Sequence, residues 1–198
     1  MGAGGSWFAM NEMGAVIVVL NGAFANHVRR PPYRKSRGLI VLEIIAQPKP
    51  IQFLKKINLN GIEPFTLVLF SGYDLWEFRW DGFRKYFSKK DGSRAYIWSS
   101  WTLYKKAAQE KRNTLFRDFV SNDVTLEKDR IIDFHLDDHG DSENGFVVDR
   151  KNGLKTLSVT QAILAHEHIT MNHFDLSTTE TKTVSLKVQS PLNTVYGP

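Results

Sequence analysis

Three groups of residues in this chain have the types and spacing that chemistry requires. The first is the basic run Arg34-Lys35-Ser36-Arg37. Ser36 is suited to cap a helix, and a helix N-terminus offers unsatisfied N–H groups and partial positive charge. A phosphate or carboxylate can bind there, with Arg34, Lys35 and Arg37 adding to the field. The same residues also make an ordinary capped helix behind a solvated loop. The second group is Asn21, directly after the apolar run Ala15–Leu20, and Ser99-Ser100, directly after Trp98. Polar side chains at strand ends can line a pocket and hold an oxyanion or orient an amide. They serve equally as turn and cap residues. The third group is histidine-rich. His135 and His139 lie four apart among Asp133, Asp137, Asp138 and Asp141, and His166 and His168 alternate ahead of His173. Zinc could use either set, but the first lacks the glutamate of HExxH and runs into a helix exit. The expectation is a polar surface, with no metal and no cofactor.

The elements that must position these residues follow from periodicity and punctuation. Trp7–Asn11 and Ala15–Leu20 read as a hairpin, the second strand so continuously β-branched that both its faces should be covered. Ser36 opens a helix over 37–46, which Pro48 and Pro50 stop, and a second helix spans 51–57. Phe65–Phe70 and Leu75–Trp80 form another hairpin across Ser71-Gly72-Tyr73-Asp74. In its second strand Leu75, Glu77 and Arg79 alternate with Trp76, Phe78 and Trp80, which marks a wet and a buried face. Tyr86-Phe87 and Ala95–Trp98 are expected strands. A helix over 101–120 should bury Trp101, Tyr104, Ala108, Leu115 and Phe119, leaving Lys105, Lys106, Lys111, Arg112 and Arg117 in solvent. A helix over 127–136 and strands at 146–149, 156–165, 169–174 and 183–188 complete the pattern, with a loose tail from 190. The aromatics of the middle, Phe83 among them, are expected in the core by default. Strands at both ends with helices between favour an α+β layered sandwich in a single domain over 1–198.

Composition excludes several classes. The 198 residues contain no cysteine, so disulfides, thiolate metal sites and thiol nucleophiles are out, and a reducing, cytoplasmic setting is expected. No apolar run nears the roughly 18 residues of a membrane span. The start, Met1-Gly2-Ala3-Gly4-Gly5-Ser6, formally fits the myristoylation pattern, as small residues before a strand often do. The net charge of +5 suggests an anionic partner. The basic residues are dispersed, however, and no nucleic-acid motif accompanies them.

Several segments, in order, carry a resemblance. Gly4-Gly5-Ser6-Trp7-Phe8-Ala9-Met10-Asn11, Leu20-Asn21-Gly22-Ala23-Phe24, Pro32-Tyr33-Arg34-Lys35-Ser36-Arg37-Gly38 and Gly61-Ile62-Glu63-Pro64-Phe65-Thr66-Leu67 resemble the NRDE family, that of the transport and Golgi organisation protein 2, in its bacterial branch. Glu77-Phe78-Arg79-Trp80-Asp81-Gly82, Ile97-Trp98-Ser99-Ser100 and Lys155-Thr156-Leu157-Ser158-Val159-Thr160-Gln161 extend it along nearly the whole chain. The resemblance implies an Ntn-hydrolase-like αββα sandwich, here incomplete at its N-terminus. Family members begin Met-Cys and carry Asn-Arg-Asp-Glu before the Gly-Gly-Ser/Thr-Trp segment, and this sequence has neither. An N-terminal nucleophile needs a Cys, Ser or Thr beside its own amine, and Gly2 has no side chain. The chain is therefore expected to be inactive as an amidohydrolase as written.

The leading expectation is a protein that binds or carries an anionic, partly apolar ligand. The resemblance points to acyl-CoA or another lipid, or to haem. An Ntn-type amidohydrolase active only in a longer chain, and a non-catalytic interaction domain, are the alternatives. Self-association through an exposed edge of the Ala15–Leu20 strand is also expected, from the strand pair that the resemblance leaves out.

Overall fold

The computed structural model describes residues 4–122, 126–165 and 167–189. Chain order begins with β1 (Phe8–Met10) and β2 (Val16–Asn21). Asn11 builds the turn between them: its Oδ1 accepts from the Met13 and Ala15 amides, and Gly14 takes a positive φ of 74°. The same side chain donates from Nδ2 to Ile45 O at 2.8 Å, which ties the hairpin to the first helix. That helix, α1 (Arg37–Ile45), is capped as its sequence foretells, with Ser36 Oγ accepting from Leu39 N at 3.3 Å. A shorter helix, α2 (Pro50–Lys56), starts on a proline, whose missing N–H costs nothing in the first turn.

Three strands follow: β3 (Phe65–Ser71), β4 (Asp74–Trp80) and β5 (Lys85–Lys90). Gly72 and Tyr73 both hold positive φ, 59° and 69°, as a two-residue hairpin loop with right-handed strands requires. The five strands form an antiparallel sheet in the order β1-β2-β3-β4-β5. Its register aligns Ile17 with Leu69, and Leu67 with Phe78, on the face against α1 and α2. Ile40, Val41, Ile44 and Leu54 complete that core, all fully buried. Each such side chain contributes about 1.5–3 kcal/mol by leaving water.

After a long connection come α3 (Lys106–Asn122) and α4 (Lys128–Leu136). A second antiparallel sheet closes the chain, β6 (Ser158–Leu164), β7 (His168–Asp175) and β8 (Thr181–Lys187), in that order. Val16, Val18, Val68, Phe70 and Leu75, on the other face of the first sheet, look across a cleft to β6, and α4 packs beside that strand. The chain is α+β.

Several expectations fail here. Ala95–Trp98 is not a strand. Side chains hold it instead: Trp98 Nε1 donates to Glu77 at 2.6 Å, and Tyr96 packs on Trp98. The helix expected from 101 starts at 106, because Trp101 N donates to Asn21 O at 3.0 Å and fastens that stretch to the end of β2. Residues 146–149 form only an isolated bridge between Asp149 and Lys155, with Phe146 drawn into an aromatic cluster around Phe134. Phe83 is 87% exposed in a turn rather than core. β2 lies between β1 and β3, so the Ala15–Leu20 run presents no sheet edge, and Val16 and Val18 are only half-covered. Met1–Ala3, His166 and the tail from 190 lie outside the described residues.

Candidate functional site

A cleft of about 530 Å³ opens where the end of β2 meets the start of α1. Gly5, Ser6, Asn21, Ser36, Arg37, Gly38 and Ser100 supply its polar and backbone surface, and Trp7, Val19, Leu20 and Leu103 its apolar wall. Close backbone contact shapes it. Segment 4–7 crosses the first turn of α1, with Ser6 N donating to Gly38 O at 3.3 Å. A Cβ on Gly5 would lie 2.6 Å from Gly38 C, and one on Gly38 would lie 3.0 Å from Ser6 N. Two glycines let these strands of backbone touch.

At the far wall, Asn21 O accepts from both Trp101 N at 3.0 Å and Ser100 Oγ at 3.1 Å. Ser100 Oγ also lies 3.2 Å from Thr102 Oγ1. The Asn21 carboxamide itself makes no hydrogen bond with another described residue and can serve a ligand. Ser6 Oγ donates to Phe8 O at 2.6 Å. Neither hydroxyl hydrogen-bonds to an imidazole or carboxylate among the described residues, so the geometry gives neither a general base.

Arg37 is the charged group of the cleft. Its Nη1 donates to Pro64 O and its Nη2 pairs with Glu63 Oε2, each at 3.2 Å. Glu63 is 8% exposed and also meets His27 Nε2 at 3.1 Å and Arg29 Nε at 3.3 Å. Burial pulls the Arg37 guanidinium down from its ordinary value, Glu63 pulls it up, and Arg29 opposes it again. Two guanidinium groups, Arg29 and Arg37, meet the one carboxylate of Glu63, so the cluster carries excess positive charge. An anion at the first turn of α1 would meet that charge and the free N–H groups together.

The structure therefore gathers Asn21, Ser36, Arg37 and Ser100 around one cleft and engages the other expected residues elsewhere. Arg34 braces the loop before β3, donating to Asn58 O at 2.6 Å and Asn60 O at 3.1 Å. Lys35 is paired with Glu43. Ser99 Oγ accepts from Arg112 Nε at 3.0 Å.

Arg112 itself was expected in solvent and is 8% exposed. Its guanidinium lies 4.0 Å from the Phe146 ring and 4.3 Å from that of Tyr104, and it donates to Asn144 O and Gly145 O. Burial pushes its pKa down. It belongs to the inward ladder of α3, with Ala108, Leu115 and Phe119, where a cation can replace an apolar residue if rings and carbonyls receive it. Glu63, His27 and the glycine pair were not singled out beforehand. The one available signal for Glu63 was a lone acid inside the apolar stretch Ile62–Phe65.

The histidine pair does not converge. His135 Nδ1 lies 2.8 Å from Ile131 O, and His139 sits past the helix end at φ 52° with Nε2 at 2.9 Å from Phe134 O. Among the described residues no three His, Asp or Glu side chains are placed to hold a metal ion, and no helix is long and apolar enough to cross a membrane.

No curated protein matches the chain. Over residues 1–184 it matches the family described as Transport and Golgi organisation 2, and with nearly its full length covered the chain belongs to that family.

Proposed function

We propose that the protein binds an anionic, partly apolar ligand in the cleft between β2 and α1, of the class of an acyl-CoA, another charged lipid or haem. The anionic group would sit at the first turn of α1 beside Arg37, hydrogen-bonded by the Asn21 carboxamide. The apolar body would lie on Val19, Leu20, Trp7 and Leu103. The observation that carries this reading is the convergence of Asn21, the Ser36-Arg37 pair and Ser100, from three separate stretches of sequence, on one cleft with an apolar wall. The hydroxyls of Ser6 and Ser100 face backbone carbonyls, so binding is favoured here over acyl transfer.

Titration calorimetry with palmitoyl-CoA and with haemin tests the reading. At least one should bind, and Asn21→Ala should weaken it about tenfold, the worth of one hydrogen bond to a charged group. Arg37→Lys should also weaken binding, because it keeps the charge while losing the fork held by Glu63 and Pro64. Absence of binding by either ligand, or binding indifferent to both substitutions, overturns the proposal. A domain kept only for protein contacts would give the former result.

A further inference from the structure

Among the described residues, three of the four edges of the two sheets are blunted against pairing. β1 has only three residues. β5 carries Lys85, Lys89 and Lys90, and β8 carries Lys182 and Lys187. Lysines on an edge deter a further strand. β6, at the remaining edge, reads Ser-Val-Thr-Gln-Ala-Ile-Leu over seven residues, with no charge and no proline.

The ladder identifies which β6 groups are unpaired. Ala165 N donates to His168 O, and Leu176 N to Leu157 O, so the odd-numbered residues between them exchange bonds with β7. The N–H and C=O groups of Ser158, Thr160, Ala162 and Leu164 point the other way. None has a backbone partner among the described residues.

The surroundings of this edge have the form of a slot. A cleft of about 420 Å³ is lined by Val159 and Gln161 from one face of β6 and by Thr160, Ala162 and Leu164 from the other. A cavity that touches both faces of a strand wraps around its edge. One wall is the open face of the first sheet, with Val16, Val18 and Phe70, and the other is α4, with Ile131 and Ile132. Gln161 Nε2, donating to Lys128 O at 2.7 Å, fixes the odd-numbered face toward α4.

We propose that this slot receives an extended, uncharged segment of a separate polypeptide, which adds to β6 as a new edge strand with apolar side chains on both faces. One face would pack on Val16, Val18 and Phe70, the other on Ile131 and Ile132. The charge match sets the occupant's chemistry. Among the described residues the one ionisable side chain in the lining is His135, which burial biases to its neutral form, so a charged strand would be desolvated without a partner. A second copy of this chain fits less well. Its own β6 lies between the same two walls, so two such clefts would have to admit each other's walls before the edges met at the roughly 4.8 Å of strand pairing. The site is separate from the anion cleft and does not depend on it.

The test is hydrogen exchange on the intact chain with a soluble nonapeptide, a Thr-Val-Ile-Val-Thr-Val-Ile core flanked by single lysines. The peptide should slow exchange at Thr160, Ala162 and Leu164 by about tenfold or more, as added ladder bonds do. The same peptide N-methylated at the residues that face β6 should give no protection, and N-methylation on the opposite edge should be tolerated. Ala162→Pro removes an outward N–H without touching the β7 ladder, and should abolish protection while leaving the melting temperature nearly unchanged. Should that variant unfold, the methylated peptides decide the matter alone. Equal protection by both methylated peptides, or none by the parent, overturns the proposal. Concentration-dependent protection of these amides without peptide also overturns it, since the occupant would then be a second copy.

Discussion

At the scale of single residues, His135 makes the protein's stability depend on pH in a defined window. Burial lowers its pKa, its bond to Ile131 O opposes that, and the nearby charges of Arg112 and His139 lower it further. The unfolded chain therefore takes up a proton near the ordinary value of about 6.5, while the folded chain resists until lower pH. Between those two values the unfolded state holds more protons, so stability rises with pH and is lost as pH falls. Glu77 adds a second, more acidic step. Burial pushes its pKa up, but hydrogen bonds from Arg79 and Trp98 and the charges of Arg79 and Lys90 outweigh that and hold it below the ordinary value. Its contribution is present above about pH 4.3 and disappears as pH drops through the folded value. We predict that urea midpoints of the wild type fall from pH 7 toward pH 5, and that His135→Gln, less stable at pH 7, loses that slope. A variant whose midpoints parallel the wild type over this range would assign the step to another group.

At the scale of elements, the contact between segment 4–7 and α1 sets local propensity against tertiary packing. Alanine is better than glycine in most backbone settings, and gains about 1 kcal/mol in a helix. At Gly5 the new methyl would press on the Gly38 backbone, which is no flexible side chain and must itself move. We predict that Gly5→Ala lowers stability by about 1–2 kcal/mol, the usual cost of overpacking, and weakens ligand binding in the cleft. An unchanged denaturation curve would show that the segment does not dock. The same balance explains what the sequence disclosed. Hairpins and the Ser36 cap were legible because turn and cap residues act over a few positions. Asn21 and Ser36 were legible as candidates because one ends β2 and the other caps α1, whereas Ser100 was reached through a strand over 95–98 that does not form. Residues 95–98 and 146–149 have strand-like composition but no partner strand, and single side chains, Trp98 on Glu77 and Phe146 on Phe134, decide their path. The pairing of Arg37 with Glu63, and of Arg112 with Ser99 and Gly145, joins positions many residues apart, and no local pattern encodes it.

At the scale of the whole molecule, the main core lies between the first sheet and α1 and α2, all within the first half of the chain. The second half has a smaller aromatic cluster around Phe134, and a half-covered cleft separates the sheets. Cooperativity between the halves must therefore come from specific ties. At one end Gln189 N donates to Glu12 O at 2.9 Å, and Val188 packs 3.4 Å from the position a Gly14 Cβ would take. At the other, Arg112 joins Ser99, next to the cleft between β2 and α1, to Gly145 and Phe146 of the second half. Among the described residues its charge has no carboxylate partner, and the Ser99 hydroxyl, two carbonyls and two ring faces hold it instead. Leucine there would keep the apolar contact of α3 and remove every directed tie, leaving Ser99 Oγ and two carbonyls to find water. We predict that Arg112→Leu costs about 2–4 kcal/mol, as loss of several buried hydrogen bonds to a charged group does. More telling, its urea transition should broaden, the slope falling because the aromatic half loosens before the main core. Arg112→Lys should lie near leucine rather than near wild type, since an ammonium cannot reach Ser99 and Gly145 together while spanning two rings. If leucine shifts the midpoint with an undiminished slope, the halves are coupled by the rest of the interface, and Arg112 is only one contact among many.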